Sequence, residues 1–186
     1  MNILIYSQHF WPEKFRINDV ALELSKKNNI FVISSWPNYN YKSKKKIFRF
    51  GFERYKNLKI IRVPTIRRKR NTNIEIILNY LSYIIGCFFI KNKIFNNVKF
   101  DVVISYATSP IYQAIPAIIF SKKRGIKFFL WVQDLWPGVL KDLNIIRNKL
   151  ILKFLNFTTN LVYKNSDYIL AQSVKFKNII KRKNKN

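Results

Sequence analysis

The sequence predicts an α/β protein with a doubly wound, mainly parallel sheet. Short runs of β-forming residues alternate with helical patterns along the chain, which is typical of βαβ units with right-handed crossovers. Most of these runs are nearly continuous in apolar residues. Strands that are buried on both faces of a parallel sheet have this pattern.

Six strands and several helices are predicted along the chain. The strands are expected at residues 2–6, 30–35, 59–63, 101–106, 126–132 and 167–171. The helices are expected at residues 17–28, 74–95, 111–123 and 146–165. The last helix carries a broad apolar stripe, formed by Leu150, Leu152, Phe154, Leu155, Leu161 and Val162.

Two segments lack a clear period. Residues 36–57 are predicted to form a long loop after the second strand, and long loops in compact domains are often functional. From residue 175 onward the sequence is a basic tail, where the chain stops. One Rossmann-like domain over residues 1–174 is therefore expected.

Composition excludes several classes of site. The chain has 186 residues with a single cysteine, Cys87, so neither a disulfide framework nor a cysteine metal cluster is expected. No Gly-x-Ser-x-Gly sequence accompanies the single histidine, His9, which argues against a hydrolase. No glycine-rich fingerprint follows the first strand, and dinucleotide binding of the oxidoreductase type is not expected.

The charge balance predicts a polyanionic partner. Thirty-five basic and 9 acidic residues give a net charge of +26, which favours nucleic acid or an anionic membrane surface. A general bias toward Lys, Ile and Asn is a competing explanation. The basic runs at 42–46, 67–70 and 122–124 lack the interleaved aromatic residues of a nucleic-acid stacking platform.

The most apolar run, residues 76–90, is too short to span a membrane. A spanning helix needs roughly 20 residues, and Asn79 and Ser82 interrupt this run. It is predicted to be a helix that is either buried or lies on a membrane. The chain opens MNILIYSQ, which predicts a first strand and no secretory leader.

Four segments that follow predicted strands are rich in aromatic and polar residues. They are residues 7–19, 35–41, 107–112 and 133–138. Ligands of open α/β sheets bind outside the carboxyl ends of the strands, and aromatic rings suit a sugar or a lipid headgroup. The alternative is that tryptophan and proline only brace these loops.

Seven motifs together resemble one enzyme family. They are SQHFWPEKFRINDVALEL from residue 7, SSWPNYNYKSKKK from 34, IIRVP from 60, NYLSY from 79, SPIYQAIPA from 109, WVQDLWP from 131 and YKNSDYILAQS from 163. In order and spacing they resemble bacterial glycosyltransferase family 4, in particular its fucosamine-transferase-like (WbuB-like) members. Two departures are Gly138-Val139, where that group has Glu-Ser, and His9, where it usually has an aromatic residue.

The resemblance implies a GT-B fold, in which two Rossmann-like domains face a cleft. It implies a retaining, metal-independent enzyme that transfers a sugar from a nucleotide-sugar to an undecaprenyl-diphosphate-linked glycan in surface-polysaccharide or O-antigen synthesis. The apolar helix predicted at 74–95 and the basic runs suit peripheral attachment to the anionic inner face of the cytoplasmic membrane. The sequence matches only the N-terminal, acceptor-binding domain, because the paired glutamates of the donor domain have no counterpart after Ser173. No cofactor is expected, and the chain lacks any Asp-x-Asp pair.

Three residues are predicted to be catalytic. Asp134 follows a strand, where a carboxylate could orient the acceptor hydroxyl or stabilise an oxocarbenium charge. An N-cap role for the following helix is an equal alternative. Gln133 is placed to hold a sugar hydroxyl, and Glu13 to position its own loop.

Six further residues are predicted to bind the substrate. Arg16 could neutralise a diphosphate, helped by Asn18 or the helix N-terminus, although it could also be an ordinary surface arginine. The stacking candidates are Trp11, Trp36, Tyr39 and Trp136.

Three readings of the function stay open. The first is the N-terminal half of a glycosyltransferase, inactive alone. The second is the acceptor subunit of a two-chain enzyme, whose donor domain lies on a separate chain. The third, of another class, is a basic nucleic-acid-binding protein, against which the aromatic segments and the order of the motifs argue.

Overall fold

The structure is a computed structural model that describes residues 1–38, 48–70, 72–90, 95, 98–142 and 146–184. The strands are β1 (Asn2–Tyr6), β2 (Asn29–Ser35), β3 (Gly51–Tyr55), β4 (Leu58–Val63), β5 (Val102–Ala107), β6 (Lys127–Val132) and β7 (Tyr168–Ala171). The helices are α1 (Arg16–Leu24), α2 (Asn73–Phe88), α3 (Ile115–Arg124), α4 (Gly138–Asp142), α5 (Lys149–Lys164) and α6 (Val174–Asn184). A 3₁₀ turn at Ile111–Ala114 leads into α3.

The strands form a mainly parallel sheet in the order β3-β4-β2-β1-β5-β6-β7. β2 pairs in parallel with both β1 and β4, and β6 pairs in parallel with β7. The predicted α/β Rossmann-like class is therefore confirmed. The chain divides into two compact units, Met1–Val103 (unit 1) and Ile104–Asn186 (unit 2).

One strand was not predicted. β3 lies inside the segment predicted to be a loop, and it pairs antiparallel with β4. Its residues alternate between half-buried and exposed, as expected for an edge strand with one solvated face. The prediction of a structureless loop over 36–57 is therefore wrong for Gly51–Tyr55, and residues 39–47 lie outside the described part of the chain.

Two helices end earlier than predicted, and local hydrogen bonds explain why. After α1, the side chains of Ser25 and Asn28 donate to the carbonyls of Leu22 and Leu24. After α2, the backbone N–H of Phe89 bonds to the carbonyl of Gly86, an i→i+3 bond that tightens the last turn. α5 begins at Lys149 because the Asn148 side chain accepts from the N–H groups of Leu150 and Ile151.

The basic tail is helical as far as Asn184. α6 buries Ile180, which is 4% exposed. The apolar stripe predicted for α5 is only partly buried. Leu150 is 78% exposed, Phe154 65% and Leu161 43%, whereas Leu152 and Leu155 are half-buried and Val162 is buried.

Gly86 lets α2 approach β4 closely within unit 1. A Cβ atom at this position would lie 2.9 Å from the carbonyl oxygen of Pro64 and 3.2 Å from the Cβ of Val63. Backbone atoms cannot swing aside as a flexible side chain can, so a larger residue here pushes the helix away from the strand.

Gly86→Val is expected to lower the free energy of unfolding by about 1–3 kcal/mol, the usual cost of overpacking. Urea unfolding followed by circular dichroism measures this. Gly138→Val is the control, because a Cβ at Gly138 meets no atom within 4 Å. Equal losses of unfolding free energy in both variants would show that the close approach of α2 to β4 does not contribute to stability.

Candidate functional site

In unit 1 a buried carboxylate joins the loops that follow β1 and β2. Glu13 is 6% exposed. Its Oε1 accepts from the backbone N–H of Asn38 at 2.6 Å, and its Oε2 lies 3.1 Å from Nδ1 of His9. Its backbone carbonyl accepts from the Asn18 side chain at 2.6 Å. Glu13 thus connects two adjacent strand ends, which is a positioning arrangement.

His9 packs within the same loop after β1. It is 4% exposed, and its ring stacks on Phe15 with centroids 5.1 Å apart. The Ser7 hydroxyl donates to the His9 carbonyl at 2.6 Å. The family that the sequence resembles usually has an aromatic residue at this position. The His9 ring stacks as an aromatic ring would, and it also contacts Glu13.

A fully buried arginine anchors the same loop from β4. Arg62 is 0% exposed. Its guanidinium donates to the Glu53 carboxylate at 2.7 Å, to the Ser35 carbonyl at 2.8 Å and to the Trp11 carbonyl. The edge strand β3, the end of β2 and the loop after β1 are held by one side chain.

A polar network extends this arrangement to α2. The Asn79 side chain accepts from Gln8 Nε2 at 2.9 Å and from Arg68 Nε at 3.1 Å, and it donates to the Ile66 carbonyl at 2.6 Å. Gln8 is fully buried, and its Oε1 has no partner among the described residues. Segments that follow β1 and β4 therefore meet through Asn79.

The predicted substrate-binding residues of unit 1 have different surroundings. Arg16 is exposed at the first position of α1. Asn18 is half-buried, and its Oδ1 has no partner among the described residues. Tyr39 lies outside the described residues.

Two tryptophans of unit 1 that were predicted to stack on a ligand pack against residues of the protein itself. Trp11 stacks on Tyr55 with centroids 4.4 Å apart. The Trp36 ring lies against Gly51, where an added Cβ would come within 2.4 Å of it, and its Nε1 donates to the Arg49 carbonyl at 2.7 Å. Both rings brace the chain here, and their role in binding a sugar stays a prediction.

In unit 2 the loops after β5 and β6 meet at a serine. The Ser109 hydroxyl donates to the Asp134 carboxylate at 2.8 Å and accepts from Nε1 of Trp136 at 2.8 Å. Trp136 is 9% exposed and packs edge-to-face on Tyr112. Its ring has little free surface, which favours bracing over stacking on a ligand.

Asp134 is not at the N-cap position of α4. The helix begins at Gly138, four residues later, so the N-cap would be Pro137. The half-buried Asp134 carboxylate is instead oriented by Ser109. This removes the N-cap alternative and leaves a carboxylate fixed in direction at the end of β6.

Gln133, the residue before Asp134, has a side-chain donor without a partner among the described residues. Its backbone carbonyl and its Oε1 both accept from Nε2 of Gln172, at 2.9 Å each. Its own Nε2 is buried without a partner among the described residues. An unpaired buried donor costs about 1–3 kcal/mol, so a group that binds here and accepts from it is favoured.

Lys183 reaches this loop from α6, which sequence reasoning set aside as a basic tail. Its Nζ donates to the Trp136 carbonyl at 3.0 Å and to the Asn156 side chain at 3.3 Å. Partial burial lowers the pKa of Lys183. No sequence pattern marks this lysine among its many basic neighbours, because only the fold brings α6 under the loop.

Ser109→Ala is expected to lower the free energy of unfolding by about 1–3 kcal/mol, since it leaves the Asp134 carboxylate and the Trp136 N–H without this partner. Urea unfolding measures the loss. Ser166→Ala is the matched control, because the Ser166 hydroxyl, just after α5, donates to the Val162 carbonyl of that helix and to no other group among the described residues. A loss no larger than in the control would mean that Ser109 does not hold the loop.

Unit 2 also contains an apolar cavity of about 420 Å³, separate in its lining from the Asp134 loop. Side chains of α3 and α5 form most of its wall, among them Ile115, Ile118, Phe154 and Leu161. None of the predicted site residues lines it. Among the described residues no group of three or more His, Cys, Asp or Glu side chains is placed to hold a metal ion.

Comparisons with known proteins support the fold. No protein-family model matches the chain, and no curated protein sequence matches it. A solved structure of sucrose-phosphate synthase from Thermosynechococcus elongatus is similar, with a TM-score of 0.62 and 9% sequence identity. The likeness covers 97% of this chain and 44% of the synthase chain. The chain thus has an α/β Rossmann-like fold of a kind found in a glycosyltransferase.

Proposed function

We propose that the chain is the acceptor-binding half of a retaining, metal-independent glycosyltransferase of the fucosamine-transferase-like (WbuB-like) group. It would act in surface-polysaccharide or O-antigen synthesis, where a sugar passes from a nucleotide-sugar to a lipid-linked glycan. One observation carries the proposal. An oriented carboxylate, Asp134, lies beside Gln133, whose buried donor has no partner among the described residues.

This pair suits the hydroxyl of a sugar acceptor. The acceptor oxygen bonds to the anomeric carbon of the donor sugar, the bond from that carbon to the nucleoside diphosphate breaks on the same face, and the diphosphate leaves with the bonding electrons. Asp134 can accept the proton of the attacking hydroxyl, or orient that hydroxyl, during this step. Nε2 of Gln133 can donate to a neighbouring sugar oxygen and so satisfy its own hydrogen bond. Ser109 keeps the carboxylate in place while this happens.

In unit 1 the start of α1 has features that suit an anionic group such as a diphosphate. No side chain caps this helix, and the exposed Arg16 stands at its first position. Free N–H groups at a helix N-terminus and an arginine together favour an anion. Glu13 and His9 are buried, and they hold the loop that precedes α1.

The remaining features of the proposal follow from the lipid-linked acceptor. The protein would be cytoplasmic and peripheral on the inner face of the cytoplasmic membrane, without a cofactor and without a nucleic-acid partner. The Trp11 ring already stacks on Tyr55, which argues against its use as a platform for nucleic-acid bases. Sugar transfer would also need a donor-side domain.

The test is titration of the protein with a short-chain prenyl-diphosphate-linked N-acetylaminosugar, followed by saturation-transfer NMR. We expect transfer to the sugar protons, lost in Gln133→Ala and in Asp134→Asn. Asp167→Asn is the control, because Asp167 precedes β7 and bonds to the N–H of Phe128, away from the carboxyl ends of the strands. Saturation transfer that is absent in the wild type, or unchanged in the Gln133 and Asp134 variants, would contradict the proposal.

A further inference from the structure

α2 is amphipathic, but its polar face is turned toward the protein and an apolar face is turned toward solvent. Its buried residues are polar or small: Asn79, Ser82, Tyr83, Gly86 and Cys87. Six of its large apolar residues face outward with exposed fractions of 41–70%: Ile74, Ile77, Leu78, Leu81, Ile85 and Phe88. These six recur at the three- and four-residue spacing of one helix face, so they form a single stripe.

The polar inner face is accounted for within the protein. Asn79 bonds to three partners, and the Tyr83 hydroxyl donates to the Ile33 carbonyl at 3.2 Å. Burial raises the pKa of the Tyr83 phenol and of the Cys87 thiol, so both stay neutral. The inner face therefore needs no further partner, whereas the outer stripe is larger than the scattered apolar residues usual on a surface.

Positive charge lies at one end of this stripe. The exposed residues Lys69 and Arg70 precede the helix. The Glu75 carboxylate, in the first turn, accepts from their backbone N–H groups at 3.1 and 2.8 Å. These bonds attach the basic segment to the start of the helix, so cationic side chains adjoin the apolar stripe.

We propose that the outward face of α2 docks on an anionic lipid bilayer, with the helix axis along the surface. The stripe enters the boundary between headgroups and acyl chains, and Lys69 and Arg70 contact lipid phosphates. No helix in the described part of the chain is long and apolar enough to cross a membrane. Charge complementarity favours an anionic bilayer over the apolar face of another protein, since the chain carries a net charge of +26.

The test is flotation of the whole chain with vesicles of phosphatidylcholine alone or with about 30% phosphatidylglycerol. These vesicles contain no acceptor lipid, so the result is separate from the proposed glycosyl transfer. We expect binding to the anionic vesicles only, at least tenfold weaker in Leu81→Gln/Ile85→Gln. We expect a similar loss of binding in Lys69→Gln/Arg70→Gln at low salt. At about 1 M salt, screening removes the electrostatic attraction in the wild type as well, so the wild type and this variant should then bind equally.

Phe52→Gln is the control, since Phe52 is 65% exposed in the same unit but lies on β3, off the stripe. It should bind as the wild type does. Sedimentation of the same variants without lipid tests whether the stripe instead mediates self-association or binding to another protein. Equal binding to neutral vesicles, no loss in the stripe variant, or a stripe variant that only abolishes self-association or binding to another protein would each overturn the proposal. If the stripe variant fails to fold, the Lys69/Arg70 variant decides.

Discussion

Arg62→Met is expected to lower the free energy of unfolding by about 3 kcal/mol. Removing one partner of a buried ion pair costs roughly 3–5 kcal/mol, and the lower end applies because the Glu53 side chain is 31% exposed. The carbonyls of Ser35 and Trp11 lose a donor in the same step. Urea unfolding followed by circular dichroism measures the change.

The matched control is Arg54→Met, an exposed arginine on the neighbouring strand β3. It should change the free energy of unfolding little, because exposed charges contribute 0–1 kcal/mol. If Arg62→Met cost no more than Arg54→Met, the anchoring of three segments by one guanidinium would be refuted.

Glu13→Ala is expected to lower the free energy of unfolding by about 2–4 kcal/mol. The substitution removes the acceptor of the Asn38 N–H and the partner of His9 Nδ1, and an unsatisfied buried group costs about 1–3 kcal/mol, or more when charge is involved. It also leaves a cavity, which adds to the loss.

Two comparisons make this measurement specific. Glu23→Ala removes a carboxylate that is 72% exposed and should have little effect. Glu13→Gln keeps an oxygen for the Asn38 N–H, so its loss should be smaller than that of Glu13→Ala. A Glu13→Gln loss equal to the alanine loss would mean that charge, and not the hydrogen bond to Asn38, dominates.

The sheet was predictable because its central strands are continuous apolar runs. β2, for example, buries six of its seven residues, and strand-helix alternation then indicates a parallel sheet. The edge strand β3 was missed because only one of its faces is shielded. Its sequence GFERY mixes glycine and charged residues and carries no run that the same criterion detects.

The sequence did not show which face of α2 is turned toward the core. An apolar run interrupted by Asn79 and Ser82 is compatible with a buried helix or one on a membrane, and only the contacts of Asn79 show that its polar side faces inward. The usual rule that apolar residues face the core fails here. In α5 the rule holds only in part, because Val162 is buried while Leu150 and Phe154 lie on the surface.

Positions of site residues were predictable from strand ends, but their contacts were not. Asp134 and Gln133 were selected because they follow a strand, and the structure places both there. Ser109 and Lys183 were not selected, since each reaches Asp134 or Trp136 from residues more than twenty positions away. Trp36 was read as a stacking ring, and its packing on Gly51 depends on a strand that the sequence did not indicate.

The central claim is that the carboxyl ends of the strands hold a lipid-linked sugar acceptor. Photo-crosslinking with a prenyl-diphosphate-linked N-acetylaminosugar that carries a photoreactive group on the sugar, followed by mapping of the modified peptides, tests it most directly. We predict adducts on the peptide containing Gln133 and Asp134, suppressed by excess unlabelled acceptor. Adducts confined to other segments, or adducts on that peptide that the unlabelled acceptor does not suppress, would contradict the account.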